Sequence, residues 1–340
     1  MSQEQRTHRA MRVEAAGGAF TEARIETGEP GPGQVRIAVE ACGVCHSDTA
    51  VVSGAMGNPF PVTTGHEIAG RIDALGAGVD GWAVGDRVAV GWYGGSCGHC
   101  DACRTGDGVL CPEAEIPGIA YPGGYAESVL VPAVALAAVP DGLSAVDAAP
   151  LACAGVTVYN ALRRSAARAG DTVAILGLGG LGHLGVQFAA KMGFRTVAIA
   201  RGAEKGPLAT ELGAAHYIDS TTQDVAAELQ ALGGAKVVLA TVTQAQAMAD
   251  AFEGLGRRGE LVIVGVALEH LDLTAAQFVD RARRVYGHAS GIAVDTQDTL
   301  RFAADTGVRP WTEERPLAEA DEAFARMRRG EARFRMVLTV

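Results

Sequence analysis

Four cysteines dominate the chemistry this chain can do. They read Cys97-Gly-His-Cys100-Asp-Ala-Cys103, and seven residues further on stands Cys111. Thiolates two residues apart can close on one small ion from a single loop, and four soft sulfur donors suit a tetrahedral zinc with no vacant position. Such a site is a structural staple, not a catalyst. Disulfide pairing, iron ligation or a redox-active C-x-x-C are the alternatives. The polar start Met-Ser-Gln-Glu-Gln-Arg carries no apolar h-region and predicts a cytoplasmic protein, where thiols stay reduced, so metal outranks disulfide. His99 lies inside the loop, but four thiolates leave it no coordination role.

A second set is more dispersed: Cys45 in Ala41-Cys42-Gly-Val-Cys45-His46-Ser47-Asp48, His66 in Thr64-Gly65-His66-Glu67, and Cys153 in Leu151-Ala-Cys153-Ala-Gly-Val-Thr157. Together they make a Cys₂His set, the ligand type of a catalytic zinc that keeps its fourth position open. Taken singly each is weak, since a lone cysteine is usually a small buried hydrophobe and a lone histidine a satisfied core residue.

A third feature is Gly177-Leu-Gly179-Gly180-Leu181-Gly182, which follows the apolar run Val173-Ala-Ile-Leu176 and opens a helical stretch from His183 to Met192. This is the setting a dinucleotide fingerprint requires; a glycine-rich turn that binds nothing is the plain alternative. Gly177 permits the tight turn, Gly179 lets backbone approach a pyrophosphate, and Gly182 allows close packing of a helix whose N-terminus faces the anion. The next strand ends at Ala200, where an NAD site usually carries Asp or Glu on the ribose. Ala200 followed by Arg201 favours NADP over NAD, because no carboxylate repels a 2′-phosphate and a guanidinium can pair with it. A solvated loop charge is the other reading of Arg201.

The elements that must position these groups follow from texture. Up to about residue 155, short apolar runs such as Gln34–Glu40 and Asp86–Val90 are split by Gly and Pro, a β-rich pattern with long loops. From about 156, strands at 172–176, 196–200, 236–240 and 260–264 alternate with helical stretches, which predicts a doubly wound parallel sheet. The last forty residues read as β-rich again and are expected to return to the first domain. At 340 residues, 48% hydrophobic and 20% charged, the chain is long enough for two domains. A net charge of −10 and only 5% aromatic residues argue against nucleic acid or an anionic membrane as partner. No stretch is expected to approach the roughly 18 apolar residues of a membrane span.

With these motifs in place, the chain resembles the zinc-dependent medium-chain alcohol dehydrogenases, in particular their microbial, aldehyde-reducing branch. The resemblance covers essentially the full length, through Gly43–Asp48, Gly65-His66-Glu67, the lobe 97–111, Cys153–Thr157 and the fingerprint 177–182. It implies a GroES-like β-barrel catalytic domain (1–155, completed by 292–340) and a Rossmann domain (156–291), with the active site in the cleft between. It implies two zinc ions per chain: a catalytic one on Cys45, His66 and Cys153, with Glu67 able to approach it, and the structural one. Asp48 would orient His66. Ser47 would hydrogen-bond the substrate oxygen and start the proton relay, or cap a helix. Cofactor contacts are implied for His46, Thr157, Gly180, Leu181, Lys205, Val266 and Arg335.

Many relatives carry a histidine five residues after the first zinc cysteine, where this chain has Ala50, so the proton must leave through ribose hydroxyls, Thr49 or water. Ala50, Met56 and Trp92 are expected at a roomy substrate pocket, Trp92 alternatively in the barrel core. The expected substrate is a medium-sized or aromatic primary alcohol and aldehyde pair, and the expected assembly a tetramer or dimer. An alkene or iminium reductase of the same fold is the nearest rival, and a non-catalytic zinc-binding relative the rival from another class.

Overall fold

The computed structural model describes residues 6–340. They form two compact units: one holds the chain up to Cys153 with 291–305 and 309–340, the other 154–290 with 306–308.

The first unit is built on β1 (Thr7–Val13) paired with β2 (Phe20–Glu26), and on a seven-stranded sheet. That sheet contains β3 (Gln34–Val44), β4 (Ile68–Leu75), β5 (Arg87–Val90), β6 (Ser128–Pro132) and the short β7 (Ala137–Ala138). The C-terminal strands β14 (Thr312–Pro316) and β15 (Arg335–Thr339) complete it, in the order β14-β15-β3-β4-β5-β7, with β6 also pairing β3. The centre is β3, antiparallel to β4, β6 and β15. Its alternating apolar residues Val35, Ile37 and Val39 face a core shared with Ile68, Ile72, Val88, Tyr125 and Leu338. The pairing with β4 slips between Arg36 and Ile37 and again between Val39 and Ala41, the irregularity a strand needs to curve around a barrel.

The second unit is a six-stranded parallel sheet of β8 (Thr172–Leu176), β9 (Arg195–Ala200), β10 (His216–Asp219), β11 (Ala235–Ala240), β12 (Leu255–Ile263) and β13 (Arg284–Gly287). Its order, β10-β9-β8-β11-β12-β13, reverses direction at β8, the doubly wound arrangement with a topological switch point beside the first strand. β8 is buried along its whole length, as a central parallel strand covered on both faces must be.

Two expectations need correction. The last forty residues are not mainly β: only β14 and β15 are strands there, and a helix spans Ala320–Arg328 between them. The buried Ala320, Ala323 and Phe324 recur at helical spacing, a period that the flanking strands obscured. The other concerns apolar length. The continuous helix Ala145–Arg163 is long and apolar enough to cross a membrane by length and composition, with 67% of its window buried inside the protein. Its alanine and valine content serves core packing, and it carries Cys153.

Candidate active site

Cys45, His66, Glu67 and Cys153 converge in the first unit, with one donor atom of each within 4.8 Å of all the others. They are delivered by three segments. Cys45 is the residue after β3, and His66 and Glu67 immediately precede β4. Cys153 lies at the middle of a π-helical turn, Leu151–Gly155, inside the helix 145–163. One surplus residue in a helical turn bulges it outward, a device common at functional sites. Gly91, just beyond β5, lets this turn approach, because a Cβ there would strike the carbonyl of Ala152.

Asp48 holds the centre from behind. It is fully buried, and its Oδ1 lies 3.3 Å from His66 Nδ1 and accepts the Thr64 hydroxyl at 2.9 Å. Its Oδ2 accepts the backbone N–H of Cys45 at 3.0 Å and the Tyr125 hydroxyl at 3.1 Å. A carboxylate on Nδ1 fixes the imidazole tautomer and leaves the other nitrogen as the donor. His66 Nε2 is buried without a hydrogen-bond partner among the described residues, as is Glu67 Oε2. Buried polar atoms rarely go unpaired, so orphaned donors converging with two thiols fit a metal ion well.

Burial alone would lower the His66 pKa, but Asp48 and Cys45 outweigh it and hold the ring well above its ordinary value. A hydrogen bond from the Cys153 thiol keeps Cys45 well below the usual thiol range. Burial lifts Glu67 to about 7, against the pull of the Arg335 guanidinium, to which its Oε1 is paired. Gly43 makes that pairing possible, since any Cβ there would collide with the Glu67 carboxylate. The Trp92 ring stands edge-on to His66, centroids 5.0 Å apart at 87°, so it belongs to the wall of this cluster.

The remaining residues of the loop are placed as follows. Ser47 precedes the helix Asp48–Val52 but makes no side-chain cap bond, so its hydroxyl is not used for capping. Thr49 Oγ1 is buried and has no hydrogen-bond partner among the described residues, Ala50 is half-buried, and His46 and Met56 are exposed. Arg335 lies 5% exposed, tied to Glu67 and to the Val44 carbonyl.

The four thiols of the lobe also form one cluster. Cys100 and Cys103 Sγ lie 3.5 Å apart, as do Cys111 and Cys97, spacings of ligands sharing an ion and too long for a disulfide. Backbone N–H groups of His99 and Cys100 draw Cys97 down to about 6, and Glu113 N–H donates to Cys111 Sγ at 3.3 Å. His99 is exposed and turned to the Cys97 carbonyl.

In the second unit, Gly177 takes φ +102° at the end of β8, and a Cβ on Gly182 would strike the Gly177 carbonyl. Protein packing therefore demands glycine at both. It does not at Gly179, where a Cβ would meet nothing within 4 Å. Gly179 leaves open space at the N-terminal end of the helix Gly182–Lys191, where the backbone could receive an anion. Leu181 is the residue before that helix, Thr157 is buried, and Val266 is 76% exposed on the loop after β12.

The end of β9 differs from the expectation that nothing acidic stands there. Gly202 N–H donates to Asp219 Oδ1 at 2.8 Å, and the Glu204 carboxylate lies where a Cβ on Gly202 would be. Asp219 comes from the neighbouring strand β10, which spacing along the chain could not reveal. Tyr217 hydroxyl donates to the Gly202 carbonyl at 2.6 Å, so this turn is held from both sides. Arg201 is exposed and Lys205 half-buried.

Residues 31–141 match the alcohol dehydrogenase GroES-like domain, and residues 180–305 match the zinc-binding dehydrogenase domain. Alcohol dehydrogenase notN of Aspergillus sp. is 41% identical over 311 residues, covering 92% of this chain and 91% of that one. Among solved structures, acetophenone reductase from Geotrichum candidum in complex with NAD is 28% identical with a TM-score of 0.87, covering 100% and 99% of the two chains. CAD from Helicobacter pylori, complexed with NADP(H), is 26% identical with a TM-score of 0.87, covering 98% of each. The chain belongs to the zinc-type medium-chain alcohol dehydrogenases, a family of oxidoreductases with a GroES-like domain and a Rossmann domain.

Proposed function

We propose that this chain reduces aldehydes and oxidises primary alcohols, medium-sized or aromatic, with NADP(H) as the favoured coenzyme and two zinc ions. The observation that carries the chemistry is the open Cys45–His66–Cys153 set with His66 Nε2 buried and unpaired. Zinc bound there would supply a Lewis acid for the charge that grows on the substrate oxygen, and the nicotinamide would supply or take the hydride.

The chain's own residues do the rest. Asp48 keeps the proton on His66 Nδ1, so that Nε2 stays a donor toward the metal. The Ser47 hydroxyl, free of capping duty, hydrogen-bonds the substrate oxygen and passes its proton onward. With Ala50 in place of an outer histidine, the Thr49 hydroxyl, unpartnered and buried, is the next protein group in line. Glu67 stays on Arg335, within reach of the ligand cluster when ligands exchange. Trp92 gives an aromatic substrate an apolar wall. His46, Thr157, Lys205, Val266 and the glycine loop are the proposed coenzyme contacts, with Arg335 reaching the pyrophosphate only from its Glu67 pair. The four-thiol lobe holds the second, structural zinc.

Support for NADP(H) is the apolar Ala200 and the exposed Arg201. Asp219 keeps its charge, but its Oδ1 is engaged by Gly202 N–H and by both donors of Thr221 and not held free for a ribose hydroxyl. Glu204 beside Gly202 supports a second reading, NAD(H). Steady-state oxidation of NADPH and NADH side by side, with benzaldehyde and a chelator control, decides between them. Faster turnover with NADPH, lost on chelation, is the expected result; turnover with NADH alone would replace the coenzyme assignment, and silence with both would remove the aldehyde.

A further inference from the structure

The Asp48 carboxylate is fully buried and receives four donors, two on each oxygen. Such a carboxylate is fixed in rotation as well as position, and here the orientation matters. Its contact to His66 Nδ1, at 3.3 Å, is the longest of the four and the first to fail if the group turns about its Cβ–Cγ bond. The donor farthest away in sequence is the Tyr125 hydroxyl, 77 residues on.

Tyr125 is laid beside the His66 loop by backbone pairing. Gly123 N–H donates to Thr63 at 2.8 Å, Gly124 to Gly65 at 2.8 Å and Tyr125 to Thr64 at 3.0 Å. Gly65 has φ +104°, and a Cβ on it would strike the Tyr125 ring and crowd Cys42 Sγ. The glycine before the metal histidine therefore makes room for this ring. The ring itself packs on Phe20, centroids 5.4 Å apart, and a phenylalanine would fill that volume equally well. The hydroxyl is what the core does not explain, because a buried O–H costs free energy unless it is bonded to something that needs it.

We propose that Tyr125 is a positioning residue for the catalytic metal, acting through Asp48 on the orientation of His66. The inference rests on the reading of Cys45, His66 and Cys153 as a zinc site. Thr64, on the other carboxylate oxygen, acts in the same sense. Groups in the outer shell of a zinc site commonly change metal affinity about 10- to 100-fold, and one bond further out the effect falls at the lower end.

The experiment follows zinc release from the zinc-loaded protein to excess chelator with a chromogenic dye, together with total zinc per chain. Tyr125→Phe is expected to speed release from the buried site about tenfold while leaving release from the thiol lobe unchanged. Thr64→Val, which keeps the side-chain shape, should act in the same direction and serves if Tyr125→Phe folds poorly. In an Asp48→Asn background, Tyr125→Phe should add less than about twofold, because the route through the carboxylate is already cut. Unchanged release in Tyr125→Phe overturns the inference, and so does equal acceleration at both sites, which would mean general loosening. A wild-type protein that takes up zinc in the thiol lobe only, with uptake unchanged in His66→Ala, would instead overturn the catalytic-zinc reading itself, and the inference with it.

Discussion

The thiol lobe draws its proposed zinc ligands from one stretch whose outer cysteines lie 14 residues apart, whereas those proposed at the other site, Cys45, His66 and Cys153, arrive from the end of β3, the start of β4 and a π-helical turn. Cys97, Cys100 and Cys103 are partly exposed and their thiols are oriented by backbone N–H groups of the same loop. Around His66 the supporting groups are Asp48, Thr64, Tyr125 and Arg335, all buried and from separate segments. A local site depends on its own loop; an assembled site depends on the whole unit being folded. The first can stabilise, but four thiolates leave no position for substrate. The second leaves a position open and surrounds it with charges that only the fold can supply.

Substitutions can break this contrast. His66→Ala has the largest expected effect: turnover falls below detection and zinc drops from two to one per chain, while the lobe stays loaded by metal analysis. Cys103→Ala should do the converse, removing the lobe zinc and lowering the melting temperature by an amount that reflects several kcal/mol of lost metal binding. Activity per folded molecule should survive at low temperature; its loss would show that the lobe is not merely structural.

A smaller effect sharpens the comparison. Glu67→Gln leaves the buried Arg335 guanidinium without its carboxylate and with only the Val44 carbonyl as acceptor, at a cost of at most about 3–5 kcal/mol read from the denaturation midpoint. An unshifted midpoint would mean that the buried charges around the assembled site do not support the fold. The smallest expected effect lies away from both metals and serves as the acid control. Thr221 N–H and hydroxyl, with Gly202 N–H, hold the Asp219 carboxyl below its ordinary value. A depressed carboxyl contributes above its unfolded pKa of about 3.9 and loses that contribution as pH falls through the lower folded value. Folding stability should therefore fall below about pH 4 in the wild type, read from the denaturation midpoint, and that fall should be flatter in Asp219→Asn.

What the sequence disclosed follows the same division. The lobe was readable from spacing alone because every ligand sits in one loop. The strand–glycine–helix unit was readable because β8, Gly177–Gly182 and the helix after it are consecutive. Cys45, His66 and Cys153 could be grouped by ligand type, but each was weak alone and only the resemblance implied a shared role, since no periodicity links them. The roles of Tyr125, Thr64 and Asp219 were not legible, because each acts through one polar atom on a separate segment, 77, 16 and 17 residues away. The helix Ala320–Arg328 was hidden between two strands, and the unused cap at Ser47 could not be told from a used one.

The π-helical turn at Leu151–Gly155 also sets how fragile the site is to changes of chain length. Each residue of an α-helix turns the chain by about 100°. Loss of any one residue of this turn other than Cys153 would let the helix relax to regular geometry and swing Cys153 out of the cluster, although every cysteine and histidine of the cluster would still be encoded. A one-codon deletion here is therefore a silent-looking route from an enzyme to an inert fold, and one-codon insertions in regular helices are the reverse route by which such a ligand can be gained.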